Sequence, residues 1–102
     1  MKIIKNGIKE NFIIYKIYND DKIYIGKTTI PIYIRINNHR HGILEADQYF
    51  RSVGWDNVTF EIIDYSNDRT TLLKKENEQI IHHYELYKDK ILNKYNTHKK
   101  LL

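Results

Sequence analysis

Residues 12–29 read FIIYKIYNDDKIYIGKTT, two runs rich in Ile and Tyr divided by Asn19-Asp20-Asp21. β-Branched and aromatic residues suit a pleated strand, and the polar triplet is a strong turn signal. The stretch predicts a β-hairpin, with strands over Phe12–Tyr18 and from Lys22 to Ile25. An even-numbered loop sets Ile17 opposite Tyr24 and Tyr15 opposite Gly26. Side chains alternate between faces, so Tyr15, Ile17 and Tyr24 share one face. Glycine at 26 leaves open space beside the Tyr15 ring. A tyrosine pair on a half-buried hairpin is also a common structural device, so the hairpin alone does not assign a function.

The rest of the chain predicts helices around this hairpin. Thr28 and Thr29 are N-cap candidates, and Pro31 suits a first helical turn. A helix follows to about His41, where Gly42 can end it. The alternation Ile30, Ile32, Ile34, Ile36 also fits a strand, but Pro31 within it argues against one. A shorter helix is expected over Ile43–Val53, a turn over Gly54–Asn57 and a third strand over Val58–Tyr65. Ser66-Asn67-Asp68 caps a long helix from about Arg69 to Tyr87. The order ββα(α)βα predicts an α/β (α+β) domain: a small three-stranded antiparallel or mixed sheet flanked by helices. Residues 1–11 read as a basic arm or a short extra strand.

Composition narrows the chemistry. The 102 residues form one domain by length, able to bury roughly two thirds of the unfolded surface. Cysteine is absent, which removes disulfides and thiolate metal sites. The apolar runs are too short for a membrane helix, and no secretory h-region is visible, so an intracellular protein is expected. A net charge of +4 favours polyanionic partners. Basic segments at Lys2–Lys9 and Lys94–Lys100 lie at both ends of the core. The adjacent pair His82-His83 faces about 100° apart on a helix and is ill placed to chelate. Gly26-Lys27-Thr28 lacks the upstream glycine of a phosphate-binding P-loop.

Three polar positions need explaining. Arg35 and His39 are four residues apart and share a helix face. That face is either solvated, as Asn37, Asn38 and Arg40 suggest, or turned to a phosphate. In the long helix, Leu72, Leu73 and Ile80 define an apolar face, and Glu76 falls inside it. A buried carboxylate costs several kcal/mol unless paired or bound to metal. Its partner is Arg35, a metal, or solvent at the rim of a rotated helix.

Taken in order, Ile13-Ile14-Tyr15, Tyr24-Ile25-Gly26, Arg35 with His39, Glu76 and Tyr95-Asn96 resemble the GIY-YIG nuclease superfamily. The resemblance spans about residues 12–97. Each motif is short; the ordered set is specific. Ile13 stands where the family pattern has glycine. The resemblance implies a metal-dependent endonuclease that hydrolyses phosphodiester bonds with one magnesium ion, for which manganese can substitute. DNA is the first expected partner and RNA the runner-up. By the same resemblance Glu76 is the metal ligand, Arg35 clamps the phosphate and Tyr15 contacts the attacking water. Tyr24 orients water or phosphate, and His39 bonds a tyrosine or the phosphate. Gly26 and Lys27 border the substrate, and Asn96, with Asn93 as its rival, fastens the last segment. A catalytically silent nucleic-acid-binding module and a structural interaction domain are the competing classes.

Overall fold

A computed structural model describes residues 1–9 and 12–93. The strands are β1 (Lys2–Ile4), β2 (Phe12–Tyr18), β3 (Ile23–Thr28) and β4 (Thr59–Ser66). The helices are α1 (Ile32–Arg40), α2 (Glu45–Val53) and α3 (Arg69–Tyr87), with single 3₁₀ turns at Trp55–Asn57 and Lys88–Lys90. The sheet has four strands in the order β1-β4-β2-β3. The additional strand is β1, which pairs parallel to β4, while the other pairings are antiparallel. Of the two sequence readings for the N-terminal segment, the short strand is therefore the one adopted.

The hairpin has the expected register, with Ile17 opposite Tyr24 and Tyr15 opposite Gly26. Its turn closes because Asn19 Oδ1 accepts from the backbone N–H of Asp21 and of Lys22, at 2.9 and 2.8 Å. An Asx side chain that mimics backbone in this way holds the loop at fixed length. Fixed length sets the register, and the register sends odd-numbered β2 residues to one face.

Each face has its own core. Ile13, Tyr15 and Ile17 meet Phe60 and Ile62 of β4, Ile36 of α1, and Ala46 and Phe50 of α2. On the other face, Ile14, Ile23 and Ile25 meet Leu72 and Ile80 of α3. Leu73 does not join them. It sits one residue, or 100°, round the helix from Leu72 and is 48% exposed. Between Ile14 and Tyr15 the β2–β4 register shifts by one residue. That bulge lets Ile62 and Phe60 sit directly opposite Tyr15 and Ile17 on the same face.

One helix end differs from expectation. Pro31, rather than Thr28 or Thr29, is the N-cap of α1. Thr28 instead ends β3, and its hydroxyl bonds the backbone N–H and C=O of Ile30 in a local turn. Asp68 caps α3 as expected, accepting from Thr71 N–H at 2.7 Å. Among the described residues, no helix is long and apolar enough to cross a membrane.

Candidate active site

Four side chains from three elements form a continuous hydrogen-bonded chain on the α1 face of the sheet. Tyr15, from β2, is 0% exposed. Its ring stacks on Phe60 with centroids 4.6 Å apart. A Cβ built on Gly26 would lie 2.5 Å from Tyr15 Cζ and Oη. Glycine at 26 thus makes room for the tyrosine ring itself, and the expected open space beside that ring is filled. The phenol oxygen lies 2.6 Å from His39 Nε2 and accepts from Arg35 Nε at 3.0 Å. The helical spacing puts Arg35 and His39 on one face as expected, and that face meets the Tyr15 phenol.

The chain continues to a residue the sequence reading missed. His39 Nδ1 lies 2.6 Å from Asp47 Oδ1. Both side chains are almost wholly buried, at 3% and 4% exposure. Asp47 Oδ2 also accepts from the backbone N–H of Leu44, at 3.3 Å. An Asp in the first turn of a helix reads as a capping residue, and it performs that role here. Nothing in the spacing showed that its second oxygen would reach His39. Gly42 lies against this carboxylate: a Cβ there would collide with Asp47 Oδ2. Gly42 lacks the positive φ expected of a helix-ending glycine. It is a space-maker for Asp47.

The electrostatics follow from burial. Burial pushes the Tyr15 phenol up from its ordinary value of 10.0, outweighing the nearby Arg35 charge that favours ionisation. Burial also pulls His39 below its ordinary 6.5, despite the upward pull of Asp47. At neutral pH both groups are therefore uncharged. Tyr24 packs its ring edge-on to His39 with centroids 5.6 Å apart. It is raised by burial first and by the Glu76 charge second.

Glu76 approaches from the α3 side. Its partner is Lys27, at 3.1 Å, and not Arg35 as the sequence allowed. The Glu76 side chain is 14% exposed and that of Lys27 41%, so this pair stands at the rim of the fold. Lys27 also lines a cavity of about 290 Å³, together with Thr28, Thr29, Ile30, Arg35 and Arg69. Arg69, at the start of α3, is a second residue the sequence reading missed; only the topology brings it beside Thr28. A larger groove of about 370 Å³, lined by Lys5, Ile8, Lys9 and Ile30–Ile32, carries none of the candidate catalytic groups.

Asn93 holds the segment after α3 against the open edge of β3. Its side-chain amide donates to Ile25 C=O at 2.8 Å and accepts from Ile25 N–H at 2.9 Å. The sequence reading gives the fastening role to Asn96 first, with Asn93 as its rival. Asn96, Tyr95 and the basic segment Lys94–Lys100 lie outside the described residues.

The implied metal can be tested against the donors. Among the described residues, no three His, Asp or Glu side chains cluster as a ready-made cage. Magnesium does not need one: it commonly uses one or two carboxylates, retained waters and substrate phosphate oxygens. A single rim carboxylate beside a basic cavity fits that donor set, provided Lys27 releases Glu76. Comparison with protein-family models, curated proteins and solved structures returns no match to this chain.

Proposed function

We propose that this chain is a metal-dependent endonuclease that hydrolyses phosphodiester bonds, with DNA as the first candidate substrate and RNA the second. The observation that carries the reading is the cavity where Arg35, Lys27 and Arg69 converge, with Glu76 beside Lys27. Three cations against one carboxylate suit a phosphate backbone. The planar guanidinium fork of Arg35 suits phosphoryl oxygens in particular.

The roles follow from what each group touches. Arg35 uses Nε on Tyr15, and its two Nη groups take no partner among the described residues. They are the donors for a scissile phosphate. Lys27 exchanges Glu76 for a phosphate oxygen, which frees Glu76 as the magnesium ligand. When bound, magnesium supplies Lewis acidity at the phosphate and stabilises charge on the leaving oxygen. Tyr15, being fully buried, acts beneath the cavity floor by holding Arg35 and His39. Tyr24, nearer the surface, takes the role of orienting water. Tyr15 contacts the attacking water only if the floor opens to admit it.

The closed Lys27–Glu76 pair also favours a second reading, a binding module that keeps the basic cavity and does not cut. Incubation of the purified protein with plasmid, single-stranded, branched and RNA substrates separates the two, with magnesium and with EDTA. Magnesium-dependent cleavage that stops in EDTA is the expected result. Salt-sensitive binding with no cleavage of any substrate would establish the silent module instead.

A further inference from the structure

The Arg35–Tyr15–His39–Asp47 chain has a direction, and Asp47 sets it. Consider the proton inventory from the buried end. The Asp47 carboxylate only accepts. It takes the Leu44 N–H on Oδ2 and faces His39 Nδ1 through Oδ1. His39 Nδ1 must therefore carry a proton. A neutral imidazole carries only one, so Nε2 is left as an acceptor. The group facing Nε2 is the Tyr15 hydroxyl, which must then donate to it. The phenol oxygen keeps its lone pairs for Arg35 Nε–H, which approaches at 3.0 Å. Every donor meets an acceptor, in one order only.

We infer that Asp47 is a positioning residue which holds His39 in the Nδ1–H tautomer, points the Tyr15 O–H at His39, and so keeps the Tyr15 oxygen available to anchor the Arg35 guanidinium at the cavity. The geometry is built for this. Asp47 and His39 are buried, both distances are 2.6 Å, and Gly42 vacates the space that the carboxylate occupies. Reversing the chain would need an Nε2–H that donates to Tyr15. The phenol would then accept from His39 and Arg35 together, and its own O–H would point at neither. Tyr15 has no other hydrogen-bond partner among the described residues. A stranded hydroxyl in a fully buried site is costly.

The consequence for cleavage rests on the nuclease reading; the direction of the hydrogen bonds does not. The test is therefore spectroscopic first. Long-range ¹H–¹⁵N correlation on protein labelled with ¹⁵N-histidine reports which ring nitrogen of His39 is protonated. At pH 7.5–8 (chosen near neutrality, on the order of one unit above the ordinary imidazole value) Nδ1 is expected to carry the proton and Nε2 to show an acceptor-type shift. A protonated Nε2 with bare Nδ1 in the wild-type protein would overturn the inference without any variant. Asp47→Asn extends the test, because an amide can present its NH₂ to Nδ1 and reverse the order. In that variant the His39 tautomer is expected to switch. The Arg35 Nε–H signal should shift and exchange faster, because the phenol oxygen then serves two donors, while the backbone amide spectrum is retained. An unchanged tautomer and Arg35 signal in folded Asp47→Asn would also overturn it. If the wild-type chain cuts nucleic acid, the variant should lose at least about tenfold in kcat, as when a buried aspartate no longer sets a histidine tautomer.

Discussion

Two clusters of polar residues lie at the same end of the sheet and differ in almost every physical respect. The Arg35–Tyr15–His39–Asp47 chain is buried except at its half-buried Arg35 end, uses one donor for each acceptor, and ties β2 to α1 and α2. The Lys27–Glu76 pair is at the rim, makes one contact, and ties β3 to α3. Burial makes the first cluster part of the core. Its members are costly to disturb because an orphaned donor or acceptor there cannot turn to water. In the second cluster Glu76 is mostly covered but Lys27 is open to water, and an ion pair that water reaches contributes about 0–1 kcal/mol. The difference separates two tasks. The buried chain fixes where the guanidinium points, and the rim pair leaves a carboxylate and an amine free to change partners.

Substitutions that unlink or exchange these properties test the contrast. The largest effect on stability is expected from Gly26→Ala. The added methyl meets the Tyr15 ring at 2.5 Å, and that ring is locked between Gly26 and Phe60. Overpacking of this kind costs about 1–3 kcal/mol. Chemical denaturation should show it as a lower midpoint with unchanged slope. An unchanged midpoint would mean that the Tyr15 side of the sheet is not closely packed.

A smaller effect is expected from pH, and its sign follows from the same burial. His39 and His83 are both held below 6.5 by burial in the folded chain. The unfolded chain then binds protons first as pH falls, so their contribution is complete above pH 6.5 and is lost as pH drops below it. Tyr15 and Tyr24 are held above 10.0. Their contribution is complete below pH 10 and is lost as pH rises through the folded values. Thermal melts should therefore show a plateau between about pH 7 and pH 9, with losses on both sides. In His39→Gln the acid limb should shrink. An acid limb of undiminished size would show that His39 is not the group responsible.

The smallest effect on stability is expected from Arg69→Ala, on the exposed side of the comparison. Arg69 makes no ion pair among the described residues, and its guanidinium lies over the Phe12 ring, 5.8 Å from the centroid. Stability should stay within about 0.5 kcal/mol. Fluorescence anisotropy with a labelled oligonucleotide should nevertheless show weaker binding and a salt slope reduced by about one. An unaltered slope would place the phosphate backbone elsewhere.

These two clusters also differ in how legible they were from sequence. The hairpin, its register and the bounds of α3 are local matters of strand propensity, an Asx turn and an Asp cap, and the chain carries those signals within a few residues. Arg35 with His39 was readable as well, because four-residue spacing on a helix needs no tertiary information. Lys2–Ile4 was ambiguous because a three-residue strand is determined by its neighbour β4, which lies far away in sequence. Asp47 was hidden for a different reason. Its side chain has a complete local explanation as the first-turn carboxylate of α2, and its second oxygen is used across a helix–helix contact. Lys27 as the partner of Glu76 depends on how α3 lies across β3, and that crossing has no local signature. Leu73 lies outside the buried stripe of α3 because that stripe is narrower than the pattern Leu72, Leu73, Ile80 implies.

On the proposed reading, Glu76 is held at the rim for chemistry and contributes little to the fold. Glu76→Gln, followed by thermal melting and by plasmid cleavage in magnesium, tests it most directly. A melting temperature close to wild type is expected, because only a partly exposed pair with Lys27 is lost, together with cleavage reduced by orders of magnitude, because a neutral amide oxygen is a poor magnesium ligand. A variant that melts far lower, or one that melts normally and cuts as fast as wild type, would contradict it.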